Sequence, residues 1–446
     1  MNANMLKFDA TAGFIGQAGT HYARAKGWLC CHPYSVAAVI LCLVMVGPFL
    51  AVKRDWEHCF LVEAGNLWAG ESIYGVDHAE IYPYPPLPAL VALPFACLPF
   101  TLGNLLFYVL NMACLFVMIR WAWQISGGGV LQGREHVIML IGLACGVTFA
   151  LNSLSHHQTD LLIGAVQFAG CLALSRARTF GAATCFGLAA AMKGPDLLWA
   201  PYLLWRGRWK EAVWVGVVFV GLGVLPTLIV PAQHQRFLFG EWVKRFVLPM
   251  GQSREYPPYF STESNQSFIG GGYRWLRTTW AWDGQFQQQL PLANPASPMA
   301  VRGFVVTWAV MLFLFTLATQ GRRGLPCTEE AGGAMRLALE CSMVFLLMLL
   351  FSPMSGKAHF GTLLLPTFCL TRLAWQRRSR VLGWVVCGAL LGVMLSQNFL
   401  GDLISRITLW HGIMTWTAVL LLLGCGYGLR QMRSPDNSAI CVQQPP

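Results

Sequence analysis

Charged residues are what this sequence has least of. Of 446 residues, 11% are Asp, Glu, Lys or Arg and 55% are hydrophobic, whereas a soluble globular chain carries about a quarter charged residues. That shortage excludes an ordinary soluble domain. Also missing is any C-x-x-C pair among the 15 cysteines, most of which lie inside apolar runs, so neither a disulfide framework nor a structural zinc site is supported and the thiols read as packing groups. No cleavable signal peptide is expected, because the first ~30 residues are polar and carry Lys7, Arg24 and Lys26. Rossmann and Walker sequences are absent, and Gly270 to Gly272 is not followed by the Lys-Ser/Thr pair of a phosphate loop. No internal repeat is evident, which argues against the paired halves of many secondary transporters.

What the chain does have is long apolar runs. Ser35 to Val52, Asn104 to Trp121, Val213 to Val230 and Leu409 to Tyr427 each reach the ~18 to 20 residues that cross a bilayer as helix. The fold class expected is therefore an all-α polytopic membrane protein. The net charge of +11 sits in short clusters, Arg24/Lys26, Arg120/Arg134, Arg176/Arg178, Arg206/Arg208/Lys210, Arg322/Arg323, Arg377/Arg378/Arg380 and Arg430/Arg433. Clusters of that kind orient spans rather than bind nucleic acid, and they place these loops in the cytoplasm. The external segments are then 53–85, Asn152 to Asp160, Lys193 to Asp196, 231–300, Ser352 to His359 and Gln397 to Arg406.

Thirteen apolar segments can be counted, yet the clusters require an even number of crossings before Arg206. The weakest segment, Pro86 to Phe100, is short and carries Pro88, Pro94 and Pro99, so it reads as interfacial or re-entrant and leaves about twelve spans. The segments 180–193 and 195–205 are the other place where the count is open. The stretch Ile81 to Leu90, IYPYPPLPAL, becomes the hinge by which the first external loop returns to the bilayer, with Tyr82 and Tyr84 at the interface. Residues 1–32 and 431–446 read as cytoplasmic tails flanking one membrane domain, 33–430.

Polar side chains that could do chemistry fall into four groups, all on the external face. The first loop carries Asp55, Glu57, Glu63, Glu71, Asp77 and Glu80. Most read as solvated charges, but Asp55 and Glu57 follow the first span closely enough to reach membrane depth, where a carboxylate is costly and usually functional. The second group is Asn152, Gln158 and Asp160 together with Lys193; Lys193 either snorkels to the interface or meets an anionic phosphate. Adjacent His156 and His157 diverge by about 100° on a helix and make a weak metal pair.

The third group is Asn265, Gln266 and Ser267, amides and a hydroxyl suited to sugar hydroxyls, with Trp275, Trp280 and Trp282 as stacking faces or as an interfacial belt. The triplet also matches a glycosylation sequon. The fourth group is the turn at Pro353 with Lys357 and His359, either cations for a leaving phosphate or a plain polar turn.

Taken in order, these segments resemble family-87 glycosyltransferases of the GT-C superfamily, which use polyprenyl-phosphate sugars and include mannosyltransferases and arabinofuranosyltransferases. The matching stretches are Asp55-Trp56, Ala64 to Gly70, Tyr74, Tyr84-Pro85-Pro86-Leu87, His157 to Leu162, Lys193 with Pro195, Leu203 to Trp209, Asn265-Gln266-Ser267 with Arg274, and Ser352 to His359. Two departures are visible. The spacing from Asp55 to Gly70 is longer than in the family pattern, which leaves Glu57 as well as Asp55 a candidate catalytic acid, and the last turn has one histidine where the family has two.

The resemblance implies a membrane hexosyltransferase that transfers a hexosyl, with mannosyl favoured, or a pentosyl residue from a polyprenyl-phosphate sugar, acting with inversion on a lipid or glycan acceptor at the outer face of the cytoplasmic membrane. It assigns Asp55 or Glu57 as catalytic base, Lys193, Arg274, Lys357 and His359 to the donor phosphate, and Asn152, Gln158, Asp160, Asn265, Gln266 and Ser267 to substrate. No cofactor is required, and a divalent metal stays open, since no spacing demands one. The rival readings are a polysaccharide polymerase or ligase, and a transporter or flippase of a lipid-linked substrate, which would place its acids mid-span rather than at one end.

Overall fold

The structure, a computed structural model, describes residues 40, 43, 56–74, 82–234, 236–248, 262–276, 298–320, 324–326 and 332–432. Asp55, Asp77, Glu80, Trp280, Trp282 and nearly all of the two expected tails lie outside these residues. The chain forms two units, Met1–Val52 and Lys53–Pro446, and the second holds nearly all of the described residues.

Among those residues every regular element of the second unit is helical. A π-helical turn, Trp56–Leu61, leads into α1 (Val62–Ala69), followed by α2 (Leu87–Ala96), α3 (Phe100–Ile125), α4 (Arg134–Ser155), α5 (Asp160–Ser175) and α6 (Thr179–Met192). A 3-10 turn, Gly194–Leu198, precedes α7 (Trp199–Trp205), then come α8 (Trp209–Ile229), α9 (Leu238–Trp242) and α10 (Phe268–Leu276). The chain continues with α11 (Pro298–Gln320), α12 (Gly333–Phe351), a 3-10 turn Lys357–Leu363, α13 (Leu364–Gln376), α14 (Arg380–Ser396), α15 (Asp402–Trp410) and α16 (Ile413–Gln431).

Six of these, α3, α4, α8, α11, α12 and α16, are long and apolar enough to cross a membrane. The expectation of about twelve spans is not met on length. The helices α5, α6 and α14 have 16, 14 and 17 residues, about 24, 21 and 26 Å of helix, short of a hydrocarbon core of about 30 Å. The shortening has local causes. Pro195 ends the α6 segment, because a proline cannot donate the next helical hydrogen bond, and the α13 segment opens as a 3-10 turn. The proline-rich α2 has 10 residues, too few to span, as its sequence predicts. Tyr82, expected at the interface, is instead buried, packed against Phe60 and Tyr74, with its hydroxyl donating to the Pro85 carbonyl at 3.2 Å. The prolines thus turn the chain inside a protein contact rather than at a lipid surface.

The helices pack as two groups. In one, α6 lies between α5 and α8, and α5 packs on α3; in the other, α16 lies against α12 and α14, and α13 against α4. Small residues let them approach: a Cβ on Gly142 or Gly146 of α4 would collide with Phe368 or Leu364 of α13. At Gly187 of α6 the helices meet backbone to backbone, and an added Cβ would lie 2.8 Å from the Val215 carbonyl oxygen of α8. Because the obstacle is backbone, Gly187→Val is expected to destabilise the fold by about 1 to 3 kcal/mol, read as a lower unfolding temperature of the detergent-purified protein.

The chain direction sorts polar residues to opposite ends. Helix α5 starts, and α4, α6 and α12 finish, at the end bearing the turns 156–159, 193–198 and 352–363. The arginines of the junctions α5–α6, α7–α8 and α13–α14 gather at the other end. There Arg206, fully buried, pairs with Glu340 of α12, which also accepts from the Tyr202 hydroxyl at 3.1 Å. Arg372 grips Glu135 with two bonds of 2.8 Å and lies over the Trp123 ring at 4.9 Å. These carboxylates neutralise cations that could not stay buried alone. Outward, α11 shows Val306, Val310, Met311, Phe313 and Leu314 as an exposed apolar face.

Candidate functional site

Where the two helix groups meet, at the end bearing the three turns, a pocket opens with about 550 Å³ of space including its mouth. Its walls come from α3, α5, the turn after α6, the end of α12 and the turn before α13. Asp160 is the first residue of α5, so the unpaired N–H groups of the first helical turn favour its negative charge. Lys193 follows α6 in an extended conformation, φ −153° and ψ 109°, because Gly194 and Pro195 divert the chain. That geometry brings the Lys193 ammonium across to donate to Asp160 Oδ1 at 2.6 Å. His359 Nε2 lies 3.6 Å from the same oxygen, outside hydrogen-bonding distance.

The histidine does not serve as a resting cation. Burial first, and the Lys193 charge second, push its pKa down to about 4, against the pull of Asp160. The same burial and the neighbouring Lys193 charge disfavour a positive charge on its ring. Lys193 is the one lysine or arginine among the pocket-lining residues described.

Deeper in the pocket lie two residues that the sequence did not single out as site residues. Gln167 sits seven residues beyond Asp160 on α5, and Asp196 lies three beyond Lys193 on the 3-10 turn; both line the cavity and are 5% and 3% exposed. The Gln167 amide nitrogen donates to Asp196 Oδ1. Burial raises the Asp196 pKa to about 7, although Lys193 and the Gln167 hydrogen bond oppose the rise. The signal in the sequence was only a lone amide in the apolar run LLIGAVQFAG and an acid after proline.

A raised carboxyl pKa has a definite sign. Between pH 4 and 7 the unfolded chain has lost this proton and the folded chain still holds it, so stability falls as pH rises through that window. Asp196→Asn removes the effect. Its stability relative to the parent is expected to grow by on the order of 3 kcal/mol from pH 4 to pH 8, measured as thermal unfolding at the two pH values.

The acidic first loop approaches the same region by packing. Trp56 stacks on Phe107 of α3 with centroids 3.5 Å apart and rings 4° from parallel, and Phe107 meets His157, centroids 5.7 Å apart, in the turn before Asp160. Glu57, next to Trp56, accepts from Asn104 Nδ2 at 3.0 Å; it does not line the pocket. Glu63, expected as a loop charge, is buried and accepts from Asn66 at 3.0 Å. Asn152 and Gln158 are half-buried on the turn and also lie outside the pocket lining.

The triplet Asn265, Gln266 and Ser267 is wholly buried. Asn265 Oδ1 accepts from the backbone of Ser267 at 3.1 Å and of Ser355 at 3.0 Å, while its nitrogen donates to Pro353 at 3.0 Å. Gln266 donates to the Leu409 carbonyl at 2.7 Å and accepts from Met414 N–H at 3.2 Å. Arg274 turns Nε and Nη1 to backbone in the same way, to the carbonyls of Trp410, Thr262 and Asn265 at 2.8, 2.5 and 2.8 Å, while Nη2 is buried without a hydrogen-bond partner, and burial lowers its pKa to about 9. These groups bind backbone and brace the pocket wall, and burial at this depth leaves the sequon Asn265-Gln266-Ser267 no room for a glycan. Trp275 packs on Trp416, centroids 5.3 Å apart. Lys357 is half-buried, its pKa lowered by burial, and is not among the pocket-lining residues. Among the described residues no three His, Cys, Asp or Glu side chains cluster as metal ligands.

Comparison with known proteins fits this arrangement. The model of glycosyltransferase family 87 matches residues 82–353. A Mycobacterium tuberculosis protein named polyprenol-phosphate-mannose-dependent alpha-(1-2)-phosphatidylinositol pentamannoside mannosyltransferase is 24% identical over 416 residues, 87% of this chain and 86% of its own. A protein of the same name from Mycolicibacterium smegmatis is 27% identical over 384 residues, covering 82% of this chain and 83% of its own. No solved structure matches. The family match takes in more than half of the chain, including α2 to α12 and the turns that supply Asp160, Lys193 and Ser352: the protein belongs to glycosyltransferase family 87 and is a glycosyltransferase.

Proposed function

We propose that this chain is a multi-pass enzyme of the inner membrane that transfers a mannosyl residue, with inversion, from a polyprenyl-phosphate donor to a lipid acceptor of the phosphatidylinositol-mannoside class, at the outer face. The relatives' names support the donor and acceptor. The clustering of arginines at the end away from the pocket supports the orientation. Twelve crossings would need the shorter helices and the first apolar run to span as well.

The observation that carries the reading is Lys193, a cation held at the pocket by Asp160 with a neutral His359 beside it. In the proposed reaction Asp55 or Glu57 takes the acceptor hydroxyl proton and the acceptor oxygen bonds to the anomeric carbon. The bond from that carbon to the phosphate oxygen breaks, and polyprenyl phosphate leaves with the electron pair. The new negative charge falls to Lys193, an electrostatic role that needs no nucleotide pocket.

The test is transfer of label from radiolabelled polyprenyl-phosphate mannose into a membrane-lipid extract by the purified protein. Labelled glycolipid is expected, with one of Asp55→Asn and Glu57→Gln lowering the rate by about 10² or more. No transfer to any lipid or glycan, or full activity in both variants, overturns it.

A further inference from the structure

The inner end of the pocket is built differently from its mouth. Along α5 the residues Asp160, Gly164 and Gln167 recur at helical spacing and all line the cavity, so they form one stripe about 10 Å long. Its outer end is the ion pair with Lys193. Its middle has no side chain. At its inner end, Gln167 presents Oε1, a buried acceptor that makes no hydrogen bond, while the amide nitrogen of the same side chain is committed to Asp196. The turn after α6 runs alongside in the same order, with Lys193 outside and Asp196 inside, tied by the Asp196 N–H to the Lys193 carbonyl at 3.1 Å.

A buried carbonyl oxygen without a donor costs free energy, and so does burial of the Asp196 carboxylate. Both are acceptors, and Lys193, the one lysine or arginine among the described lining residues, donates to Asp160 rather than to either of them. A ligand that offered two hydroxyl donors a few ångströms inside an anionic group would satisfy both at once. A glycosyl phosphate has that shape: its phosphate lies at one end and its ring hydroxyls extend from the other. Between Asp160 and Gln167, Gly164 has no side chain, and the flexible end of Met118 packs against it, an added Cβ lying 2.6 Å from Met118 Cε.

Building on the proposed glycosyl transfer, we infer that Gln167 and Asp196 form the donor-sugar subsite: ring hydroxyls of the polyprenyl-phosphate sugar donate to Gln167 Oε1 and to the Asp196 carboxylate, and this pair determines which sugar is transferred. The two residues touch the sugar and not the reacting atoms, so they set specificity.

The test compares polyprenyl-phosphate mannose with its 2-, 3-, 4- and 6-deoxy analogues as donors for the purified full-length protein, its Gln167→Met variant and its Asp196→Asn variant. The parent enzyme is expected to lose roughly a hundredfold in kcat/KM on at least one deoxy donor, because the acceptor built for that hydroxyl is left unpaired. Gln167→Met should cut kcat/KM for the full sugar roughly 10- to 100-fold and leave that deoxy donor within about threefold of the parent's rate, so that discrimination collapses. A purely structural role would lower all donors by the same factor. If Gln167→Met does not fold, Asp196→Asn, which keeps shape and a hydrogen bond, gives the same reading for its own hydroxyl. Full discrimination retained in the folded variants overturns the subsite while leaving the proposed reaction standing. Failure of the parent to use any polyprenyl-phosphate sugar overturns the reaction itself, and the subsite with it.

Discussion

Lys193→Met is expected to lower sugar transfer by at least about a hundredfold, the scale seen when one charge-stabilising group is removed from a site where negative charge develops. The single variant has a second effect. Asp160 and Lys193 are mostly buried, 13% and 16% exposed, so removing the ammonium strands a carboxylate and costs about 3 to 5 kcal/mol of stability. The double variant Lys193→Met/Asp160→Asn separates the two. With no charge left to strand, its unfolding temperature should recover most of the loss, while transfer stays as low as in the single variant. Recovery of activity together with stability would show that the lysine serves only to neutralise Asp160.

Arg274→Met is expected to cost about 3 kcal/mol or more of stability, because three backbone carbonyls lose a buried donor together. Thermal unfolding of the purified variant measures it. Where the variant is folded, at low temperature, its rate per folded molecule should stay within about threefold of the parent, because Nε and Nη1 are held by Trp410, Thr262 and Asn265 and the residue is not among those lining the pocket. A rate loss of about a hundredfold in folded protein would instead place Arg274 on the donor phosphate.

The sequence made much of the fold legible because bilayer and backbone impose simple rules. Apolar runs located the long helices, and prolines marked α2 as too short to cross. Span number was harder, since α5, α6 and α14 stop short at turns whose exact ends depend on tertiary contacts. Asp160, Lys193 and His359 stood in three separate turns, and the fold brings the Lys193 and His359 side chains to one Asp160 oxygen.

What escaped was pairing at depth. Gln167, Asp196, Arg206 and Glu340 are single polar letters in apolar surroundings, and nothing local shows which of them meet. At the Asn265 triplet the residue types left open what the side chains hold. An amide that binds a sugar and an amide that bridges two backbone segments are the same residue, and only burial and geometry separate them.

That bridge has a mechanical consequence. One amide oxygen of Asn265 holds both its own segment and the turn at Ser355, and Gln266 fastens the pair to the head of α16. The wall of the pocket is therefore a plate bolted to a nineteen-residue beam, and it yields as a plate does: widening the mouth at Ser355 drags segment and beam together, so the stiffness of the mouth is set by how firmly α16 is seated against α12 and α14.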